Sequence, residues 1–312
     1  MTANQTKLTS LARQSERSKQ IKLAKQRDTS QLAVSLVAYV FIGAFALFCF
    51  IPFWLVYIGS FTAESQIVQG FRMLPTKFTL DAYRFLLQGS QVYQSGFVSV
   101  FITVVGTAGA VLITSMFAYV AAHPKVKYRY VLSFYIYFTM LFPPGLVGYY
   151  LLISNWLGLR DSLLALLLPL LFSAFNSFLM TSYFRTLPFE LNEAATVDGA
   201  HELYIFFRII WPVSMPVIAT IALFYALSYW NDWFNALMFI DDPHNQPLQM
   251  MLRRIVSNSQ NLDYLNTNVN IPVSATGVQL SAVVITIGPI IFLYPFLQRY
   301  FIKGITIGAV KG

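Results

Sequence analysis

Six apolar stretches, at about 32–60, 95–121, 129–156, 162–184, 208–238 and 278–301, constrain this chain more than any other feature. Each is near or above the roughly 20 residues that a helix needs to cross a bilayer. In hydrocarbon the backbone has to satisfy its own hydrogen bonds, and single stretches of this length do so as α-helices. Hydrophobic residues make up 56% of the chain and charged residues only 11%, whereas soluble domains carry roughly 25% charged residues. We therefore expect an all-α integral membrane protein with six transmembrane helices over 31–312, behind a basic tail over 1–30. That tail is polar and has no apolar core, unlike a secretory signal peptide.

An even number of spans leaves both termini on one side, and Lys and Arg mark the cytoplasmic side. The tail, the second-to-third link, the fourth-to-fifth link and the C-terminus hold fifteen of them, and the opposite links hold six. Both termini are thus expected in the cytoplasm of a bacterial cell membrane. The formal charge of +8 lies between the spans, so it reads as topology rather than as a nucleic-acid surface. Cys49 lies inside an apolar run and reads as a small filler. His123, His201 and His244 fall outside the spans and far apart, which gives a metal or a general base little support.

The fourth and fifth stretches are separated by a polar island, ELNEAATVDGAHELYIFFRIIWP over 190–212, with acids at Glu190, Glu193, Asp198 and Glu202. Pro188 suits a first helical turn. Glu190 and Glu193 then fall near the positive end of the helix dipole. Ala194 and Ala195 have almost no side chain and let another protein approach. Asp198-Gly199 is a turn, because glycine takes the left-handed conformation that ends helices. A second short helix over 200–208 would lead on to Pro212. Glu193-Ala194-Ala195, Gly199, Ile209 and Pro212 resemble the EAA loop of permease subunits of ATP-binding-cassette (ABC) importers, with Trp211 where that family usually has Leu. The resemblance implies a type I importer permease (MetI-like) fold. It also implies that coupling helices over 188–208, including Ala200, dock on an ATPase subunit in the cytoplasm.

Candidates for the substrate path are residues that sit oddly in or beside apolar helices. Pro143-Pro144-Gly145 breaks the third stretch, either as a kink or as the wall of a cavity. Tyr149 and Tyr150 follow it and suit a sugar or an interfacial anchor equally. Asn176 in the fourth stretch needs a partner in lipid, another helix or a substrate. Trp230, Asn231, Trp233 and Asn235 interleave rings with amides, the combination that holds sugars, although rings there also form lipid belts. Residues 239–277 form the longest external loop, with no clear period. Residues 81–87 read as a short amphipathic helix. Gly106, Ala110 and Ser115 allow close helix contact.

The C-terminal GITIGAVKG resembles the tail of maltose-type carbohydrate permeases that inserts between ATPase subunits, with Gly304 and Gly308 suited to an extended peptide. The resemblance covers about residue 30 to the end. It implies a second, homologous permease subunit, two ABC ATPase subunits and an extracytoplasmic sugar-binding lipoprotein. The implied substrate is an oligosaccharide, handled in contact with membrane lipid and without nucleic acid. No Gly-x-x-x-x-Gly-Lys loop is present, so no ATPase activity or cofactor is expected in this chain; ATP and Mg belong to the partners. The alternatives are an ion-coupled secondary transporter, which needs acids at membrane depth, and a non-transport membrane scaffold, which leaves the elbow without a task.

Overall fold

The computed structural model describes residues 34–67, 70, 74–75, 77–257 and 275–291. The basic tail, Gly304 and Gly308 lie outside the described residues. Two compact units emerge: residues 34–58 with Leu74, and the rest of the described residues. The first unit is the body of α1 (Val34–Ser60), a continuous apolar helix with no residue of its most apolar window buried.

The second unit includes the amphipathic helix α2 (Asp81–Gln88), which buries Ala82 and Leu86 and carries an Arg84–Asp81 ion pair at 3.7 Å. Its axis is α3 (Ser90–Ala122), 33 residues long. Buried residues recur along α3 every three or four positions: Ser95, Ser99, Ile102, Gly106, Ala110, Thr114, Ala118 and Ala121. Most are small, so neighbouring helices approach its backbone closely. Gly106 is the tightest point. Ring carbons of Tyr229 stand 2.6 Å from where a Cβ would project, and the Tyr229 hydroxyl donates to the Leu167 carbonyl at 2.8 Å.

Three of the expected spans are broken. α4 (Arg129–Leu141) and α5 (Gly145–Trp156) meet at 114° across Phe142–Pro144. Two prolines remove backbone donors there, and Gly145 takes φ +76. The break is a change of direction rather than a kink. α6 (Leu164–Leu170) and α7 (Ala174–Phe184) meet at 43°, with Ser173 capping α7 by accepting the Asn176 N–H. Beyond α8 (Glu190–Val197), α9 (Glu202–Val213) meets α10 (Met215–Trp230) at 85°. The fifth apolar stretch therefore enters its long helix at Met215 rather than at 208, and leaves it at Trp230 rather than at 238. α11 (Phe234–Phe239) follows as a separate short helix. The long loop read as external in the sequence contains a helix that the sequence reading did not identify, α12 (Leu248–Ser257), which buries Leu248, Met250 and Met251. α13 (Ala275–Ile291) covers the start of the sixth stretch.

Among the described residues, two helices are long and apolar enough to cross a membrane, or up to five if each bent pair is one span. Among the described residues the only extended pairing is an isolated bridge between Thr62 and Phe78. The main core joins α3, α7, α9 and α10 through Ile102, Ala110, Met180, Ile205, Phe206, Ile221 and Tyr225.

Candidate functional site

The polar island folds into a bent helix pair. α8 ends in a Schellman turn: Gly199 N–H donates to Thr196 O and Ala200 N–H to Ala195 O, both at 3.0 Å. Gly199 takes φ +79, the left-handed value that this turn requires. The two alanines part company. Ala194 is exposed, whereas Ala195 is buried in the main core with Ala200 packed against it. Only Ala194 presents the small face foreseen for both. Pro188 stands ahead of α8, its carbonyl accepting the Leu191 N–H at 3.4 Å, because the helix starts only at Glu190. The second arm begins at Glu202 rather than at 200, capped by His201 Nδ1, which accepts the Tyr204 N–H. It runs past 208 through a π-helical turn, Phe206–Ile210, to Val213. Pro212 lies in its last turn, just ahead of the bend.

This elbow is fixed to the far end of α3. The Tyr119 hydroxyl donates to Glu202 at 2.7 Å and its ring lies 5.4 Å from that of Phe206. His123 meets Phe189 edge-on at 5.3 Å. Lys125 reaches Glu193 at 3.9 Å and lies over the Phe189 ring. Glu190, Glu193, Ala194, Asp198 and Gly199 are all exposed, and Val197 is 87% exposed, so the tip of the elbow shows solvent both acids and an apolar side chain. The pinning residues Tyr119, His123 and Lys125 carried no signal in the sequence beyond their place at the end of an apolar stretch.

At the opposite end of the unit the structure brings several path candidates together. Tyr149 Oη donates to Asn235 Oδ1 at 2.8 Å, and Asn235 Nδ2 donates to Asp232 at 2.8 Å. Tyr149 and Tyr150 both pack their rings on the buried Phe239, at 5.5 and 5.8 Å. Asn231 is exposed and accepts from Gln249 Nε2 at 3.1 Å. Trp233 is half-buried beneath the Arg253 guanidinium, 3.9 Å from the ring centre. Trp230 differs: it is 4% exposed, packs with Leu86, Leu248 and Met251, and donates through Nε1 to Thr286 O at 3.1 Å. Its ring is enclosed by protein instead of facing a ligand or lipid.

Asp161 locks this end, and sequence reading missed it. With φ +57 it sits in the left-handed region, and its Oδ1 accepts the N–H groups of Asp241 and Asp242 at 2.6 and 2.8 Å. Arg160 adds a two-nitrogen contact to Asp241 Oδ2, at 3.0 and 2.5 Å. The His244 backbone N–H, and then its ring, hold the Asp242 carboxyl below the usual carboxylate range. Asn176 stands apart from this cluster. It is 5% exposed and borders a cavity of about 410 Å³ with Ser173, Ser228 and Tyr225. Tyr225 is the hub there, sharing a 2.6 Å hydrogen bond with Thr114 and accepting the Ser173 N–H at 2.8 Å. Among the described residues, no three His, Cys, Asp or Glu side chains are grouped to hold a metal.

A bent, solvent-facing helix pair thus stands between apolar helices, pinned to the longest of them. Residues 111–307 match the family of binding-protein-dependent transport system inner membrane components, and the chain belongs to it. This is a family of transport subunits rather than enzymes. The chain is 39% identical over 280 residues to the polygalacturonan/rhamnogalacturonan transport system permease protein YtcP of Bacillus subtilis, covering 89% of this chain and 98% of that one. It is 42% identical over 278 residues to Protein LplC of the same organism, covering 88% and 93%. Among solved structures it resembles a chain of a bacterial ABC transporter involved in the import of the acidic polysaccharide alginate. That match has a TM-score of 0.81 and 31% identity, over 87% of this chain and 98% of that one.

Proposed function

We propose that this chain is one permease subunit of an ATP-driven importer in a bacterial cell membrane. In this reading it carries an oligosaccharide released by an extracytoplasmic binding protein. The observation that carries the reading is the elbow: a left-handed glycine turn joins two helices whose tip is solvent-exposed and whose base is tied to α3. A rigid lever of this kind suits force transfer from a separate motor. Glu190, Glu193, Ala194, Asp198 and Gly199 form the docking face, Ala195, Ala200 and Pro212 shape it, and Gly304 and Gly308 belong to the tail that joins the motor. Two ATPase subunits supply ATP and Mg, and a second, homologous permease completes the pore. The exposed apolar side chains of α4 and α5, such as Phe134, Leu141 and Val147, suit contact with that subunit or with lipid.

On the substrate path we place Tyr149, Tyr150, Asn231, Trp233 and Asn235 towards the outer mouth and Asn176 deeper in. Trp230 backs this wall from behind. The relatives' names favour fragments of uronic-acid polysaccharides, and Arg253, exposed above Trp233, offers a cation beside a stacking ring. Uptake of labelled oligogalacturonides, compared with neutral glucan oligomers of equal length, tests this in cells with and without the chain. Loss of both uptakes, or of neither, on removing the chain would refute the acidic-fragment reading.

A further inference from the structure

A second cavity, of about 300 Å³, opens between the base of the elbow and the nearby ends of α3, α4 and α7. Its wall includes Arg129, Arg185, His123, Tyr130, Phe189 and Asn192, and no Asp or Glu. Two guanidiniums in one cavity without a carboxylate leave unbalanced positive charge. Two of the elbow's acids are engaged outside the cavity: Glu193 faces Lys125 at 3.9 Å, and Glu202 accepts the Tyr119 hydroxyl at 2.7 Å.

Both arginines are held in place with donors to spare. Arg129 stacks 4.6 Å from the Tyr130 ring centre and donates from Nη2 to the Tyr130 hydroxyl at 2.8 Å. Arg185 Nη2 donates to Ala121 O at 3.3 Å. A guanidinium carries five N–H donors in a planar fork that matches phosphate oxygens.

The level of the cavity in the fold narrows the ligand. α3 ends at Ala122, α4 starts at Arg129 and α7 ends at Phe184, so the cavity lies where three apolar helices stop. That is the depth of lipid headgroups. Tyr128 and Tyr130, 70% and 65% exposed, flank it as interfacial rings, and exposed Val131 and Phe134 continue along α4 beside it. We infer that this cavity binds the phosphate of an anionic lipid headgroup, gripped by Arg129 and Arg185. Basic pockets between membrane helices recognise such headgroups. The inference is independent of the direction of transport and of the sugar.

The test is native mass spectrometry of the full chain, purified in mild detergent with its copurifying subunits. The probes are phosphatidylglycerol, phosphatidylcholine and inorganic phosphate. Phosphatidylglycerol is expected to stay bound and phosphatidylcholine to wash off. The double variant Arg129→Gln/Arg185→Gln should lower phosphatidylglycerol retention roughly tenfold or more, since a charge-assisted hydrogen bond is worth about 1.5–3 kcal/mol. Lys127→Gln removes a charge from the same link outside the cavity wall and should leave retention unchanged. Equal retention of the two lipids by the unaltered chain would overturn the inference whether or not the variants fold. So would undiminished binding in the double variant, or an equal loss in Lys127→Gln. Displacement of the lipid by an equal concentration of inorganic phosphate would move the site to a soluble phosphate ester and overturn the lipid assignment.

Discussion

Replacing Gly199 separates backbone geometry from side-chain contact at the elbow. At φ +79 an L-residue is strained, yet no atom lies within 4 Å of an added Cβ. Alanine therefore costs only the left-handed conformation, about 1–2 kcal/mol. Valine costs more, because its branched Cβ crowds the backbone further, and asparagine costs least, because it tolerates this region. The penalty falls on the two 3.0 Å bonds of the Schellman turn. Since about 1.4 kcal/mol is a factor of ten, Gly199→Ala should shift the balance between a formed and a frayed elbow by roughly tenfold. The assay measures substrate uptake and ATP hydrolysis in the same vesicles and compares their ratio. We expect Asn near the unaltered chain, Ala reduced and Val lowest, at equal amounts of inserted protein. Unchanged coupling in both Ala and Val would refute the lever. Asn as poor as Val would show that the side chain, and not φ, is what matters.

Other consequences follow from single contacts. Gly106→Ala drives a methyl into the Tyr229 ring, whose hydroxyl is pinned on Leu167 O; overpacking of about 1–3 kcal/mol should appear as a lower melting temperature in detergent. Trp230→Ala empties a buried site and should cost about 3–5 kcal/mol of stability. Its yield of folded protein should fall, whereas Asn231→Ala should raise the substrate KM at normal yield. Asp161→Ala keeps the strained φ and loses two N–H bonds to a carboxylate, so it should destabilise more than Asp161→Asn, by about 1–3 kcal/mol in thermal unfolding. Glu193→Lys faces Lys125 with a second cation; if Glu193 serves docking, the swap Lys125→Glu/Glu193→Lys should leave uptake low, and full recovery would reduce the pair to an internal contact.

Apolar length and a few glycines and prolines made much of this fold legible. The left-handed turn at Gly199 and the close approach at Gly106 both follow from what a missing Cβ permits, and both were readable. The depth of the bend at Pro143-Pro144 was not, because two prolines forbid a regular helix without fixing the direction of the chain beyond it. The helix Leu248–Ser257 carries a regular apolar stripe of Leu248, Met251, Leu252 and Ile255, but this is one short helix in a long polar, Asn-rich segment, and it was overlooked there. Ring-bearing residues were hardest to assign. Trp230 and Trp233 are three positions apart, yet one is enclosed around Thr286 and the other lies under Arg253. Which way a ring points depends on neighbours distant in the chain. Asp161 went unnoticed for the same reason: its partners Asp241 and Asp242 come from eighty residues away.

Which side of the membrane the elbow occupies decides whether a motor can reach it. Val197→Cys, made in a Cys49→Ala background, places a single thiol at the elbow's exposed tip. A membrane-impermeant maleimide should leave this thiol unmodified in intact cells and modify it in inverted vesicles, where added ATPase subunits should protect it. Labelling in intact cells would put the tip outside and contradict the whole scheme of force transfer.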